Sequence, residues 1–114
     1  MPATTVDAWA ALGDPTRRGI LAKLIEQPRS VTALAEGLPI SRPAVSQHLR
    51  ILKDADLVHL RVLGRDHIYA AKFEGLARLR AELDAFWTQA LINFKQIAEE
   101  NNDKKNDKKV EDLP

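Results

Sequence analysis

Two short amphipathic segments joined by a tight connection constrain the fold of this chain more than any other feature. The first begins after Ser30, a favourable helix N-cap, and places Val31 and Leu34 on one side. Gly37 is suited to end it in a left-handed turn. The second begins at Ser41, so that only the letters GLPI separate the two. A short helix, a tight turn and a second helix form the pattern of a helix-turn-helix motif.

The second segment, SRPAVSQHLRILKD, has one apolar and one polar face. At about 100° per residue, Val45, Leu49 and Leu52 fall on one side and are predicted to face the core. The opposite side carries small residues near its start, which let the backbone approach DNA closely. On that side Gln47 can bridge the N6/N7 edge of adenine, and Arg50 can bridge the O6/N7 edge of guanine. The segment therefore suits the major groove of duplex DNA.

Phosphate contacts are predicted around the same helix. Ser41 and the amides at the helix start suit a phosphate oxygen, and no acidic residue precedes the aspartate that ends the segment. His48 lies on the flank between the two faces, so a packed position for its ring stays open beside a DNA contact. The predicted DNA-binding set is Ser41, Arg42, Pro43, Ala44, Ser46, Gln47, His48, Arg50, Arg61, Arg65 and His67.

A β-hairpin is predicted next, because after Asp56 the apolar period changes from about 3.6 residues to two in LVHLRVLGRDHIYAAK. The alternation breaks near Gly64 and Arg65, and Gly64 can supply the positive φ that a hairpin turn needs. Because an isolated hairpin is marginally stable, we expect it to pack beside the helices as a wing. Arg61 and His67 also lie near its tip, where basic groups reach a minor groove or the DNA backbone.

Further helices are predicted on both sides of these elements. A short one covers about residues 5–12, and another begins at the N-cap Asp14 and ends at Pro28. From about Glu74 the helical period resumes for about 25 residues, and its apolar seam is longer than one small domain can cover. A symmetric dimer would cover it, and a ligand pocket lined by its aromatic residues is the alternative. The predicted dimer-interface residues are Val6, Trp9, Leu12, Leu79, Leu83, Phe86, Trp87, Ala90, Leu91 and Phe94.

The length of 114 residues suits one domain, which we place at residues 1–100, followed by a disordered charged tail at 101–114. The net charge of +1 points to no partner, but the charge is unevenly distributed. From Ser41 to Lys72 there are six Lys or Arg residues and three Asp residues, which leaves a local charge of +3. From Glu99 to Pro114 four Lys residues and six acids leave −2. The positive charge is therefore concentrated around the predicted motif.

The sequence lacks the residues and motifs that several functional classes require. There is no cysteine, which excludes disulfides and thiolate metal sites, and the three histidines lie on predicted elements that do not converge into a metal site. No nucleophile has a plausible base, and no glycine-rich phosphate loop is present, so neither an enzyme nor a cofactor is predicted. The N-terminus has no signal-peptide pattern, and no stretch reaches the roughly 18 apolar residues of a membrane span. We expect a cytoplasmic protein.

Three segments resemble the ArsR/SmtB family of bacterial winged helix-turn-helix repressors: ALGDPTRRGILAKL, SVTALAEGLPISRPAVSQHLRILKDADLV and GRDHIYAA. The resemblance covers roughly Trp9 to Phe73. It implies a mainly α fold with a small β-hairpin and a homodimer through the first and last helices. It also implies that the Ser41–Asp54 helix recognises DNA and that the protein represses transcription, as many members do for their own operon.

The sequence departs from the metal-sensing members of that family. These carry a Cys-x-Cys pair in the first helix of the motif, where this chain has Ser30, Val31 and Thr32. Other members place Asp and His ligands along the terminal helix, which here contains Asp84 but no histidine. The resemblance is therefore nearest to the metal-independent branch, whose members the FWTQAL segment beginning at Phe86 also resembles.

The predicted function is a dimeric, autoregulating repressor that binds an inverted-repeat operator in double-stranded DNA, with no membrane partner. Two alternatives stay open. One is a winged-helix module that binds proteins instead of DNA, and the other is a repressor that senses a metal through non-thiolate ligands. The sequence does not specify a small-molecule effector, the operator or the regulated genes.

Overall fold

A computed structural model describes the backbone of residues 7–112 and the side chains of residues 7–103. The fold is mainly helical with a small antiparallel sheet, as predicted. Its elements, in chain order, are α1 (Ala8–Ala11), α2 (Pro15–Glu26), β1 (Arg29–Ser30), α3 (Val31–Glu36), α4 (Arg42–Asp54), β2 (Val58–Leu63), β3 (Asp66–Ala71) and α5 (Phe73–Asp112).

The helix starts lie where the capping residues predict them. Asp14, Ser30 and Ser41 are the N-caps of α2, α3 and α4, and all three have extended backbone conformations. The side-chain oxygen of each accepts a hydrogen bond from a backbone N–H two or three residues later, at 2.8 to 3.3 Å. Each cap thereby satisfies one of the amides that a helix start leaves without an intrahelical partner.

One apolar core joins the first four helices to the base of the sheet. In α4 the side chains of Val45, Leu49 and Leu52 are 0% exposed, which confirms the predicted inward face of that helix. Burial of aliphatic side chains such as these supplies most of the favourable free energy of folding. The other largest members of the core are Ile20, Leu21, Leu24, Leu34, Leu57 and Val58.

The predicted hairpin forms two strands of a three-stranded sheet whose order is β1-β3-β2. Leu63 pairs with Asp66 at its tip, and Gly64 has a φ of +64°, the conformation that a two-residue hairpin turn favours for glycine. The third strand, β1, was not predicted. It has only two residues, of which Arg29 pairs with Tyr69, and two residues are too few to show an alternating pattern.

The chain leaves α4 through a Schellman-type turn in which an aspartate takes the place usually held by glycine. The N–H of Leu57 donates to the carbonyl of Leu52 at 3.0 Å, and the N–H of Asp56 donates to that of Lys53 at 2.9 Å. Asp56 has a φ of 65°, which non-glycine residues seldom adopt. A Cβ placed on Gly75, in the first turns of α5, would overlap the Asp56 carbonyl oxygen, so glycine is required there.

The last helix is longer than predicted. It runs from Phe73 to Asp112, whereas the sequence predicts about 25 helical residues; residues 113–114 lie outside the described part of the chain. The greater length is possible because no proline or glycine interrupts the sequence between Gly75 and Pro114. The disordered tail expected at residues 101–114 stays a prediction. The chain divides into two compact units after Leu79, and the predicted domain boundary at residue 100 stays a prediction.

Candidate nucleic-acid interface

The outward face of α4 has the character that the sequence predicts for a recognition helix. Gln47 and Arg50 are exposed on the side opposite the buried Val45, Leu49 and Leu52. Because those three aliphatic residues hold one side of the helix in the core, the amide and the guanidinium are presented on a rigid element. Both side chains have the donors and acceptors for bidentate contacts with purine edges.

The first turn of α4 is polar and exposed. Ser41 Oγ accepts the Ala44 N–H at 3.3 Å, which leaves the Ser41 hydroxyl proton available for donation to a phosphate. Arg42 Nη1 lies 3.5 Å from Thr32 Oγ1 of α3, so this guanidinium stays near the helix start. Pro43 is exposed and Ala44 is half-buried. This end of α4 therefore combines short side chains with hydrogen-bond donors.

His48 occupies the packed position that the sequence left open. Its ring is half-buried, and its Nδ1 lies 3.4 Å from Arg17 Nη1 and 3.9 Å from Asp14 Oδ2. A guanidinium has only donors, so this contact is a hydrogen bond in the tautomer whose Nδ1 accepts and whose ring proton resides on Nε2. One edge of the ring is thus directed at α2, and a DNA contact by the other edge stays a prediction.

Asp14 provides the negative charge of this cluster. The Thr16 N–H donates to Asp14 Oδ1 at 2.8 Å and lowers the pKa of this carboxyl below its ordinary value of 3.8. Partial burial acts in the opposite sense, and the electrostatic interactions with Arg17 and His48 lower the pKa further. The ionised carboxylate is therefore the favoured partner of the Arg17 guanidinium, 3.4 Å away.

The wing carries its three predicted basic residues on exposed positions, but not on one face. Arg61 pairs with Ile68 across the ladder, whereas His67 pairs with Val62, the next residue along β2. Because successive side chains of a strand point to opposite faces, Arg61 and His67 lie on opposite sides of the hairpin. Arg65 lies in the turn itself. DNA that contacts one face of the wing can therefore contact either Arg61 or His67, but not both. Arg65, in the turn, can contact DNA on either face.

Two apolar residues at the wing tip are exposed, although the sequence did not identify them as site residues. Val62 and Leu63 are more than half exposed, on opposite faces of β2. The alternating pattern is the same for a covered and an uncovered strand end, so it could not distinguish these two from core residues. Their exposure puts apolar groups beside the basic ones at the tip.

Not all of the local positive charge is available to a partner. Lys72 Nζ donates to Asp56 Oδ1 at 2.5 Å, and Arg78 pairs with the other oxygen of the same carboxylate. These pairs tie the start of α5 to the exit of α4. Sequence patterns contain no signal for this cluster, because its members are far apart along the chain. The exposed basic groups on α4 and the wing are Arg42, Arg50, Lys53, Arg61 and Arg65.

From Leu83 onward, α5 presents a continuous apolar stripe to solvent. At about 100° per residue its members fall on one side of the helix, and Ile92 falls on the opposite side. They are about half to three-quarters exposed within this chain. The exposed apolar residues of the stripe are Leu83, Phe86, Trp87, Leu91, Phe94 and Ile97, and Ala90 lies among them.

The structure divides the remaining predicted interface residues. Leu12 and Leu79 are half-buried against the chain's own core, so part of each side chain already packs within the chain. Trp9 is about one-third exposed, on α1. Val6 lies outside the described residues. The participation of each of them in an interface between two chains stays a prediction.

Within residues 7–103, no group of three or more His, Asp or Glu side chains is placed to hold a metal ion. In the same part of the chain, no helix has the length and apolar character that crossing a membrane requires. His48 lies on α4, whereas His59 and His67 lie on separate strands, at registers opposite Ala70 and Val62.

Comparisons with known proteins agree with this geometry. Residues 12–61 match the family described as a helix-turn-helix domain. Over 96 residues the chain is 49% identical to the HTH-type transcriptional regulator Rv2034 of Mycobacterium tuberculosis, which covers 84% of this chain and 90% of that protein.

Solved structures share the fold. The crystal structure of a possible transcriptional regulator for arsenical resistance aligns with a TM-score of 0.67 at 43% identity, over 72% of this chain and 85% of that chain. The solution structure of the homodimeric winged helix-turn-helix domain of Mb0332 from Mycobacterium bovis, a possible ArsR-family regulator, aligns with a TM-score of 0.57 at 30% identity, over 70% of this chain and 74% of that one. The chain thus belongs to the ArsR/SmtB family of winged helix-turn-helix transcriptional regulators.

Proposed function

We propose that this protein is a dimeric repressor that binds an inverted-repeat DNA operator through α4 of each subunit. The observation that carries the proposal is the division of α4 into a fully buried aliphatic face and an exposed face bearing Gln47 and Arg50. An α-helix fits the major groove, and these two side chains have the geometry to read adenine and guanine there. Ser41, Arg42 and Ser46 support them by contacting phosphates.

A second copy of the chain is the proposed cover for the apolar stripe of α5. Exposed apolar residues in a continuous row, as seen from Leu83 to Ile97, are typical of an interface and not of a monomer surface. A two-fold axis pairs the stripe with itself, because a symmetric dimer uses the same patch on both subunits. The two α4 helices would then enter major grooves about 34 Å apart, which is one turn of DNA.

The wing is proposed to anchor each subunit to the DNA beside its half-site. Arg65 in the turn contacts the backbone or the minor groove, and either Arg61 or His67 joins it, according to which face of the hairpin meets the DNA. Contacts of this kind add affinity without reading sequence. They also make binding depend on salt, because each neutralised phosphate releases counterions.

The first experiment selects binding sites for the full chain from a random-sequence duplex library and footprints the best one. Recovery of an inverted repeat with two protected major grooves is the expected result. If no sequence is enriched and no duplex is protected at low salt, the protein-binding alternative replaces this proposal. Binding that a chelator abolishes would instead support metal sensing through non-thiolate ligands.

Gln47→Ala tests base recognition on the selected duplex. We expect it to cost about 1–3 kcal/mol on that duplex and to relax specificity at one position of each half-site. Gln96→Ala is the matched control, because Gln96 is an exposed glutamine on α5. Equal discrimination by the Gln47 variant and wild type would remove Gln47 from the base-contacting set.

Arg65→Ala tests the wing. It should weaken binding to selected and random duplexes alike, and it should lower the slope of log K against log salt by about one. Arg80→Ala, which removes an exposed guanidinium from α5, is the charge-matched control. A loss confined to the selected duplex would make Arg65 a base-contacting residue instead.

A further inference from the structure

One guanidinium links three helices of the protein. Arg17 Nε donates to the carbonyl of Ala11, the last residue of α1, at 2.7 Å. Its Nη1 lies 3.4 Å from the carboxylate of Asp14, the N-cap of α2, and 3.4 Å from Nδ1 of His48 on α4. The side chains of Arg17, Asp14 and His48 are 17%, 31% and 20% exposed. Arg17 is thus a partly buried cation in contact with one polar group of α1, one of α2 and one of α4.

The contact with His48 differs in kind from the rest of the packing of α4. Val45, Leu49 and Leu52 hold the helix through dispersion and burial, which fix its depth in the core but have little directionality. A hydrogen bond has a preferred distance and angle, and the fork of a guanidinium is rigid. The Arg17–His48 contact therefore resists rotation of α4 about its own axis.

Rotation of α4 matters because of what lies beside His48. Gln47 is the preceding residue, about 100° around the helix, and its amide projects outward. A bidentate contact with a base edge tolerates little angular error, so a small turn of the helix weakens readout of the correct base more than it weakens contacts with phosphates. An anchor at His48 thus controls discrimination between sequences.

We infer that Arg17 and His48 are positioning residues that set the azimuth of α4 and thereby the sequence specificity of the protein, without themselves touching DNA. This inference rests on the proposed DNA-binding function. It assigns His48 a role different from the phosphate or base contact that its place on α4 suggests. It also assigns a role to Arg17, which is not among the residues proposed to contact DNA.

The test is a double-mutant cycle measured on two duplexes, the best selected site and a scrambled duplex of the same composition. Arg17→Ala and His48→Ala should each lower the ratio of the two affinities roughly 3- to 30-fold, and the double variant should lower it no further than the worse single variant. The slope of log K against log salt should stay that of wild type, because no phosphate contact is lost. All measurements are made where circular dichroism shows each variant fully folded.

Two substitutions of His48 separate positioning from DNA contact. In asparagine the side-chain oxygen occupies the place of Nδ1, whereas glutamine puts its polar atoms at the distance of Nε2. His48→Asn should therefore restore most of the ratio that His48→Ala loses, because Arg17 keeps an acceptor. His48→Gln should not. The opposite order, with Gln restoring and Asn failing, would show that Nε2 contacts DNA and would overturn the inference.

Arg18→Ala is the matched control for Arg17→Ala. Arg18 Nη1 donates to the carbonyl of Leu12 at 2.6 Å, so it makes the same kind of bond to the end of α1 and carries the same charge. This bond reaches that end of α1 and not α4. The Arg18 variant should keep the wild-type ratio.

The outcomes distinguish this inference from the function on which it depends. If wild type enriches no sequence, the proposed function fails. If wild type is specific and the Arg17 and His48 variants keep the wild-type ratio, the inference fails alone, even where their melting temperatures fall. A lower salt slope with equal losses on both duplexes also overturns it, because that result describes a phosphate contact.

Discussion

Helix α4 and the part of α5 from Arg80 onward each have an apolar stripe, but only the stripe of α4 is covered. Val45, Leu49 and Leu52 of α4 are 0% exposed. In α5, Leu83 is 52% exposed and Phe94 is 71% exposed. The contrast teaches that helical periodicity predicts where a helix will bury side chains, but not whether the partner surface belongs to the same chain.

The difference has a thermodynamic consequence. Interactions completed within one chain contribute a free energy of unfolding that does not depend on protein concentration. Interactions completed by a second copy contribute one that rises with concentration, because association is linked to folding by mass action. Substitutions in the two stripes should therefore be distinguishable by a dilution series alone.

The largest effect is expected from Leu83→Arg. A dimer would bury this charge twice, once from each subunit, at a cost of several kcal/mol for each unpaired ion. We expect monomers in sedimentation experiments and loss of tight binding to the selected duplex, since a monomer engages only one half-site. The monomer should keep the fold of residues 7–79.

Ile92→Arg is the control for that prediction. Ile92 is also exposed on α5, but it falls on the side of the helix opposite the stripe. The same charge at Ile92 should leave the dimer intact. If the Leu83 variant still sediments as a dimer, or if both variants dissociate equally, the interface is not the stripe.

Leu49→Ala is expected to have the next largest effect, in the other stripe. Removing a fully buried leucine loses its transfer free energy and leaves a cavity, which together cost about 2–5 kcal/mol. Because the lost contacts lie within the chain, the loss should be the same in wild type and in the Leu83→Arg background. A loss that changes with protein concentration would show that α4 packing depends on the second copy.

The parts of this molecule that could be predicted from sequence are those set by local rules. The three N-caps and the inward face of α4 follow from residues within one or two helical turns. Gly64 in the hairpin turn is local in the same sense. The outward face with Gln47 and Arg50 was predicted for that reason, since it is the complement of the buried one.

The parts that could not be predicted join residues distant in sequence. Strand β1 exists only through its pairing with β3, and the contact between Arg17 and His48 spans 31 positions. The clustering of Lys72 and Arg78 on Asp56 is equally non-local. A one-dimensional pattern contains no signal for such contacts, so the packed position of His48 could only be left as one of two alternatives.

A smaller effect is expected at Asp56, where the chain passes from α4 to the wing. Asp56→Ala removes the pairs with Lys72 and Arg78 and also places an alanine at a φ of 65°. Asp56→Gly removes the same pairs but adopts that φ readily. The alanine variant should therefore be about 1–2 kcal/mol less stable than the glycine variant in denaturant unfolding. Equal stabilities would show that the turn relaxes when the aspartate is lost.

The smallest effect is expected at Asp14 and appears only in acid. The pKa of this carboxyl is lowered in the folded protein, chiefly by the Thr16 N–H, so its ionised form stabilises the fold. That contribution is complete above about pH 5, one unit above the ordinary pKa of an aspartate, and is lost as the pH falls through the lower folded pKa. Asp14→Asn keeps a capping oxygen but does not titrate. The stability advantage of wild type over this variant should therefore shrink as the pH falls below about 5 in denaturant unfolding. Asp14 belongs to the part of the chain that packs within one subunit, so the Leu83→Arg monomer should show the same loss of stability in acid. A loss seen only in the dimer would show that the titrating group lies at the interface between the subunits.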